Sequence, residues 1–180
     1  MLMNLPNLLS TARILLVPLM ILLAAQPGNP AWYAAMVVFM AACITDYLDG
    51  QIARNRKLIT DLGRFLDPLA DKLLVLSALI LLTVHGLNPL FLTVTVLARE
   101  LAVDGLRMVA ASQGKVIAAG YLGKVKTFSQ MLYIILCFAT AGSGLPVWLS
   151  TVCVLWILVI TLWSGIDYFL RNRSVLTAGK

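Results

Sequence analysis

Asp46-Tyr-Leu-Asp49-Gly50-Gln-Ile-Ala53-Arg54 is followed, eight residues later, by Gly63-Arg-Phe-Leu-Asp67-Pro-Leu-Ala-Asp71. The chemically distinctive residues fall at helical spacing. Asp46, Asp49, Gly50 and Ala53 stand at i, i+3, i+4 and i+7, and Gly63, Asp67 and Asp71 at i, i+4 and i+8. Each set forms a stripe along one helix face. The basic stretch between them is short, so the two helices read as antiparallel neighbours. Their four carboxylates can then converge at one end of the pair, as metal ligands do in helix bundles.

What surrounds this stretch is apolar. The 180-residue chain is 61% hydrophobic and 12% charged, with a mean hydropathy of +0.92. That composition fits a polytopic membrane protein and excludes an ordinary soluble domain. A carboxylate in a membrane helix costs roughly 2.5–3.5 kcal/mol on insertion scales. Four together require a compensating partner, and a divalent cation supplies it. Ligands that are all oxygen, with no His or Cys, suit Mg²⁺ or Mn²⁺. A pair of such ions stabilises the attacking and leaving oxygens of a phosphoryl displacement. Gly50 and Gly63 leave room for a bulky substrate against the backbone, and Arg54 offers a cation to a phosphate or a base edge. Helix-to-helix ion pairing of Asp46 or Asp49 with Arg or Lys is the bland alternative. It leaves acids over, because they outnumber the cations facing the same way.

Six apolar stretches approach the roughly 20 residues that span hydrocarbon. They lie near 5–25, 32–54, 63–84, 88–111, 121–141 and 147–170, in a single domain covering 1–180. The expected fold is therefore all-α, with six transmembrane helices. Turn chemistry marks three breaks: Gln26-Pro-Gly-Asn-Pro30, His85-Gly-Leu-Asn-Pro89 and Gly142-Ser-Gly-Leu-Pro146. Pro18 is expected to kink the first segment, Asn7 or Ser10 to cap it, and Met1–Leu5 to lead in along the interface. A secretory signal is excluded, because the segment has no basic n-region, Arg13 interrupts it and five more spans follow.

The three breaks contain no Lys or Arg. The other connections carry Arg54, Arg56, Lys57 and Arg64, then Lys115, Lys124 and Lys126, with Arg171, Arg173 and Lys180 near the C-terminus. By the positive-inside rule both termini and the basic loops are cytoplasmic. The net charge of +6 follows from this topology, and no nucleic-acid motif accompanies it. Cys43, Cys137 and Cys153 lie in apolar stretches and read as free thiols. His85 reads as a solvated loop residue, and Trp32, Trp148 and Trp163 as interfacial belt or packing residues. A cation transporter would need carboxylates near mid-bilayer and a polar exit on both sides. Here charge is confined to one half of the molecule.

The spacing Asp46-x-x-Asp49-Gly50-x-x-Ala53-Arg54, then Gly63-x-x-x-Asp67-x-x-x-Asp71, resembles the signature of the CDP-alcohol phosphatidyltransferase family at every fixed position. Asn4-Leu-Pro-Asn7 with Arg13 and Pro18, the run Gly63–Lys72, Ala98-Arg99-Glu100 with Arg107, and Gly123-Lys-Val-Lys-Thr127 with Gln130 are similar to its bacterial phosphatidylglycerophosphate-synthase branch. The resemblance covers roughly residues 4–170.

It implies an enzyme of the plasma membrane that moves a phosphatidyl group from CDP-diacylglycerol to sn-glycerol 3-phosphate. The products are phosphatidylglycerophosphate and CMP. Asp46, Asp49, Asp67 and Asp71 would hold two Mg²⁺ or Mn²⁺ ions, with Asp71 also the general base. Asp49, Gly50, Ala53, Arg54, Gly63 and Asp67 would line the CDP pocket. The family fold is six membrane helices, a homodimer among membrane lipids, with a polar cavity facing the cytoplasm. A dianionic acceptor needs basic residues beside the metals, and Arg99, Arg107, Lys124 and Lys126 are assigned to its phosphate. Lys115, Arg56 and Lys57 read as headgroup or loop contacts, and Thr11 and Arg13 as minor contributors to the cavity. Another acceptor in the same family (phosphatidylglycerol, inositol phosphate or serine) is the alternative.

Overall fold

The computed structural model describes residues 5–56, 61–118 and 120–177, with backbone alone for 5–7, 47–56, 61, 62, 64, 65 and 177. The chain forms α1 (Leu5–Ala24), α2 (Asn29–Arg56), α3 (Asp61–Val84), α4 (Leu90–Ser112), α5 (Tyr121–Ala139), α6 (Val147–Arg171) and α7 (Arg173–Thr177). Among the described residues there is no strand. The protein is all-α, and its first six helices match the six apolar stretches to within three residues at each end.

The expected breaks form as turn chemistry requires. Gly28, Gly86 and Gly144 adopt φ of 94°, 71° and 74°, in the left-handed region that a side chain disfavours. Pro30 falls in the first turn of α2, where its missing N–H has no helical acceptor to forgo. α2 therefore starts earlier than the sequence suggested.

The capping expectation fails. α1 begins at Leu5, so Asn7 and Ser10 both lie inside the helix. α1 also runs on through Pro18. Met1–Asn4, Lys57 and Lys180 lie outside the described residues, as do the side chains of Asn7, Arg56 and Arg64.

Among the described residues two helices, α5 and α6, are long and apolar enough to cross a membrane, and Leu8–Ala24 is a shorter apolar helix. The other expected spans carry the charged motif residues, which lower their hydropathy. Along α6, Val152, Leu155, Val159, Leu162 and Ile166 form a stripe at alternating steps of three and four residues. All are more than half exposed. An outward stripe made wholly of aliphatic residues suits hydrocarbon as its surroundings.

The chain divides into two compact units: Met1–Leu87 with Ile134–Gly144, and Asn88–Tyr133 with Leu145–Lys180. In the first, α1 packs against both α2 and α3. Met20, Phe39, Leu79, Leu82 and Phe138 are fully buried there, among Ala35, Ala42, Ala70 and Ala78. The alanines let helices approach closely, while Phe39 meets Phe138 edge-on at 6.0 Å. This tight packing positions α1 directly behind the aspartate-bearing helices.

In the second unit α4 packs against α6 and α7. Val103, Leu106 and Ala110 of α4 bury against Tyr168 of α6 and Val175 of α7. The Gln113 amide donates to the Val175 carbonyl at 2.9 Å and tethers the short last helix. At the opposite end of α4, the Asn88 amide donates to Thr93 Oγ1 at 2.7 Å and its oxygen accepts from the Tyr133 hydroxyl at 3.0 Å. These buried polar groups satisfy each other, as an apolar environment requires.

Candidate active site

Arg13 is 0% exposed. Its Nη1 donates to Asp71 Oδ1 at 2.6 Å and to Asp46 Oδ1 at 2.7 Å. One guanidinium nitrogen of α1 thus gathers carboxylates from α2 and α3. One turn earlier on α1, the Ser10 hydroxyl donates to Asp67 Oδ1. Asp67 and Asp71 are themselves one turn apart on α3. Three of the four motif aspartates are therefore tied to the same stretch of α1. Asp49 follows Asp46 by one turn on α2, but the side chains of Asp49, Gly50, Ala53 and Arg54 lie outside the described residues. Gly63 is buried on α3.

Counted as ionised, the three described aspartates Asp46, Asp67 and Asp71 and the one arginine Arg13 sum among themselves to −2. The ion-pair reading weighed for Asp46 is realised in part, yet acid remains in excess. His85 is exposed, as expected, with the ring of Trp32 edge-on at 4.9 Å.

These donors suit a hard divalent cation: all are carboxylate oxygens, and two of them already converge on one positive centre. Among the described residues no three His, Cys, Asp or Glu side chains form a complete ligand group.

The second unit holds the reverse arrangement. Glu100 of α4 pairs with Arg99 Nη1 at 3.0 Å and with Lys126 Nζ of α5, all three being largely buried. One carboxylate oxygen of Glu100 thus serves both bases. Two glycines lie beside the Arg99 side chain, and Gly165 is the close one. A Cβ on Gly165 would lie 3.2 Å from Arg99 Cγ, and one on Gly123 3.8 Å from its Nη2. Arg107, two turns along α4 from Arg99, donates from Nε to the Tyr168 hydroxyl at 3.0 Å. Its Cζ also lies 5.5 Å from the Tyr168 ring centroid, a cation–π distance. Lys124 is exposed in the first turn of α5. The structure thus brings Arg99 and Lys126 together through Glu100, holds Arg107 on Tyr168, and leaves Lys124 facing outward.

Ser10 and Tyr168 were missed by the sequence reading, and Arg13 was underrated. The signal for the first helix was present: Ser10 and Arg13 stand at i, i+3 in a mostly apolar helix. Nothing in the sequence singled out Tyr168.

The model of the family described as CDP-alcohol phosphatidyltransferase matches residues 3–163. A Bacillus subtilis protein named CDP-diacylglycerol–glycerol-3-phosphate 3-phosphatidyltransferase is 39% identical, covering 96% of this chain and 97% of its own. A protein of the same name from Escherichia coli K12 is 35% identical, over 96% and 97%. A Mycobacterium tuberculosis protein named as a probable phosphatidylglycerophosphate synthase is 41% identical, over 93% and 81%. With the aspartate signature in place and a match that runs through nearly its whole length, this chain belongs to the CDP-alcohol phosphatidyltransferase family.

Proposed function

We infer that this chain is an enzyme of phospholipid synthesis that transfers the phosphatidyl group of CDP-diacylglycerol to sn-glycerol 3-phosphate, releasing CMP and forming phosphatidylglycerophosphate. The observation that carries the reading is the end-to-end similarity to bacterial relatives named for that reaction. The convergence of Asp46 and Asp71 on one cation supports it chemically.

In this reading Asp46, Asp49, Asp67 and Asp71 hold two Mg²⁺ or Mn²⁺ ions. Such ions neutralise the pyrophosphate and make CMP a better leaving group. The rest of the work belongs to the chain. Asp71 takes the proton from the acceptor hydroxyl. That oxygen bonds to the phosphorus carrying diacylglycerol as the bond from this phosphorus to the CMP oxygen breaks. Asp49, Gly50, Ala53, Arg54, Gly63 and Asp67 line the cytidine diphosphate pocket, where the glycines admit the nucleotide close to the backbone. Arg99, Arg107, Lys124 and Lys126 bind the acceptor phosphate. The whole of 1–180 acts as one domain, and the family match supports this by running across both units. Six helices cross the plasma membrane, both termini and the polar cavity face the cytoplasm, and two copies associate.

The test is CMP release by purified protein with CDP-diacylglycerol and Mg²⁺. Release that needs glycerol 3-phosphate and stops in EDTA supports the assignment. Release driven by phosphatidylglycerol, inositol phosphate or serine instead overturns the acceptor.

A further inference from the structure

α1 carries none of the signature residues, yet it meets three of the four aspartates. Ser10 and Arg13 lie one turn apart, and both are 0% exposed. Each points a donor at a carboxylate of α2 or α3. We propose that α1 is the backing of the metal site: Arg13 is a positioning residue that holds one oxygen of Asp46 and one of Asp71 from the buried side, and Ser10 does the same for Asp67. The inference rests on reading these aspartates as metal ligands.

Burial gives the arrangement its direction. Arg13 is wholly enclosed, while the side chains of Asp46 and Asp71 are 32% and 38% exposed. The guanidinium therefore approaches from the protein interior, and each carboxylate keeps a face toward solvent. A single Nη1 contacts both Oδ1 atoms, so it fixes the rotamers of two ligands on different helices and the level at which those helices meet. Metal-ligating carboxylates commonly depend on such outer partners for their orientation.

A second role is physically open to a buried arginine here: it can act as a rival cation. The two roles predict opposite signs. As a rival, Arg13 subtracts a charge from the cluster, and its removal strengthens metal binding. As a positioning group, its removal lets two mutually repelling carboxylates turn apart and weakens binding. Loss of an outer-shell partner typically weakens affinity by about 10–100-fold. The complete burial of Arg13 and its even hold on two helices favour positioning.

The experiment is Mn²⁺ titration of the purified full-length protein in detergent, read by the electron paramagnetic resonance signal of free Mn²⁺ with no substrate present. Arg13→Gln is expected to bind about tenfold more weakly or worse. Arg13→Lys, whose ammonium ends on a shorter side chain, falls between it and wild type, and Ser10→Ala loses a few-fold. Unchanged or tighter binding in Arg13→Gln overturns the proposal. Should Arg13→Gln not fold, Arg13→Lys and Ser10→Ala decide, and wild-type affinity in both overturns it. Wild-type protein with no saturable Mn²⁺ binding, or binding that survives Asp46→Asn with Asp71→Asn, removes the ligand reading and the proposal with it.

Discussion

The two compact units hold charge clusters of opposite composition. In the first, a buried cation, Arg13, is gripped by two acids, with a third acid close by on Ser10. In the second, a largely buried acid, Glu100, is gripped by two bases, with Arg107 held further along the same helix. Each cluster contains one group of the minority sign. That group makes the cluster tolerable among apolar helices, since an uncompensated buried charge is strongly destabilising. The excess that remains differs in sign and so in chemistry. Excess carboxylate attracts metal cations and accepts protons, whereas excess guanidinium and ammonium attract phosphate. In the proposed function, reaction chemistry falls to the first unit and acceptor recognition to the second.

The largest expected effect lies in the acidic cluster. Asp71→Asn keeps the shape and removes the base, so CMP release should fall by roughly 10²–10⁴-fold. CDP-diacylglycerol binding should stay measurable by equilibrium dialysis against the detergent-solubilised lipid. Near-normal turnover would show that Asp71 takes no proton.

Glu100→Gln comes next. It strips the carboxylate charge from between Arg99 and Lys126, and loss of one partner of a buried ion pair costs about 3 kcal/mol. Thermal denaturation should report that loss at Mg²⁺ concentrations where wild type is stable. A melting temperature equal to wild type would mean that the two bases are compensated from elsewhere.

Tyr168→Phe should have the smallest effect. It removes one hydrogen bond to Arg107 and keeps the ring, a change of about 1 kcal/mol. A roughly fivefold rise in KM for glycerol 3-phosphate with little change in kcat is the expected result. No change in KM would detach Arg107 from the acceptor.

Much of this architecture was legible because it rests on local chemistry. The helix ends followed from Gly28, Gly86 and Gly144, whose backbone conformations a side chain resists. The aspartate stripes followed from helical period alone. What the sequence hid depends on tertiary contact. Ser10 looked like a helix cap because serines in apolar runs often are caps, whereas here α1 starts five residues earlier and the hydroxyl meets Asp67. The pairing of Lys126 with Glu100 was hidden too, since the two stand 26 positions apart. Tyr168 carried no signal, because its contact with Arg107 spans 61 positions. The five-residue α7 was also invisible, having no break of its own beyond Asn172. α2, α3 and α4 carry charges within their apolar runs, and the compensation for those charges emerges only once the helices pack.

The division of labour between the two clusters is tested most directly by steady-state kinetics of Arg107→Ala combined with Lys124→Ala, varying each substrate in turn. The account predicts a rise of about tenfold or more in KM for glycerol 3-phosphate, with KM for CDP-diacylglycerol within about twofold of wild type. Equal rises for both substrates would contradict it, because the basic cluster would then serve the whole site rather than the acceptor.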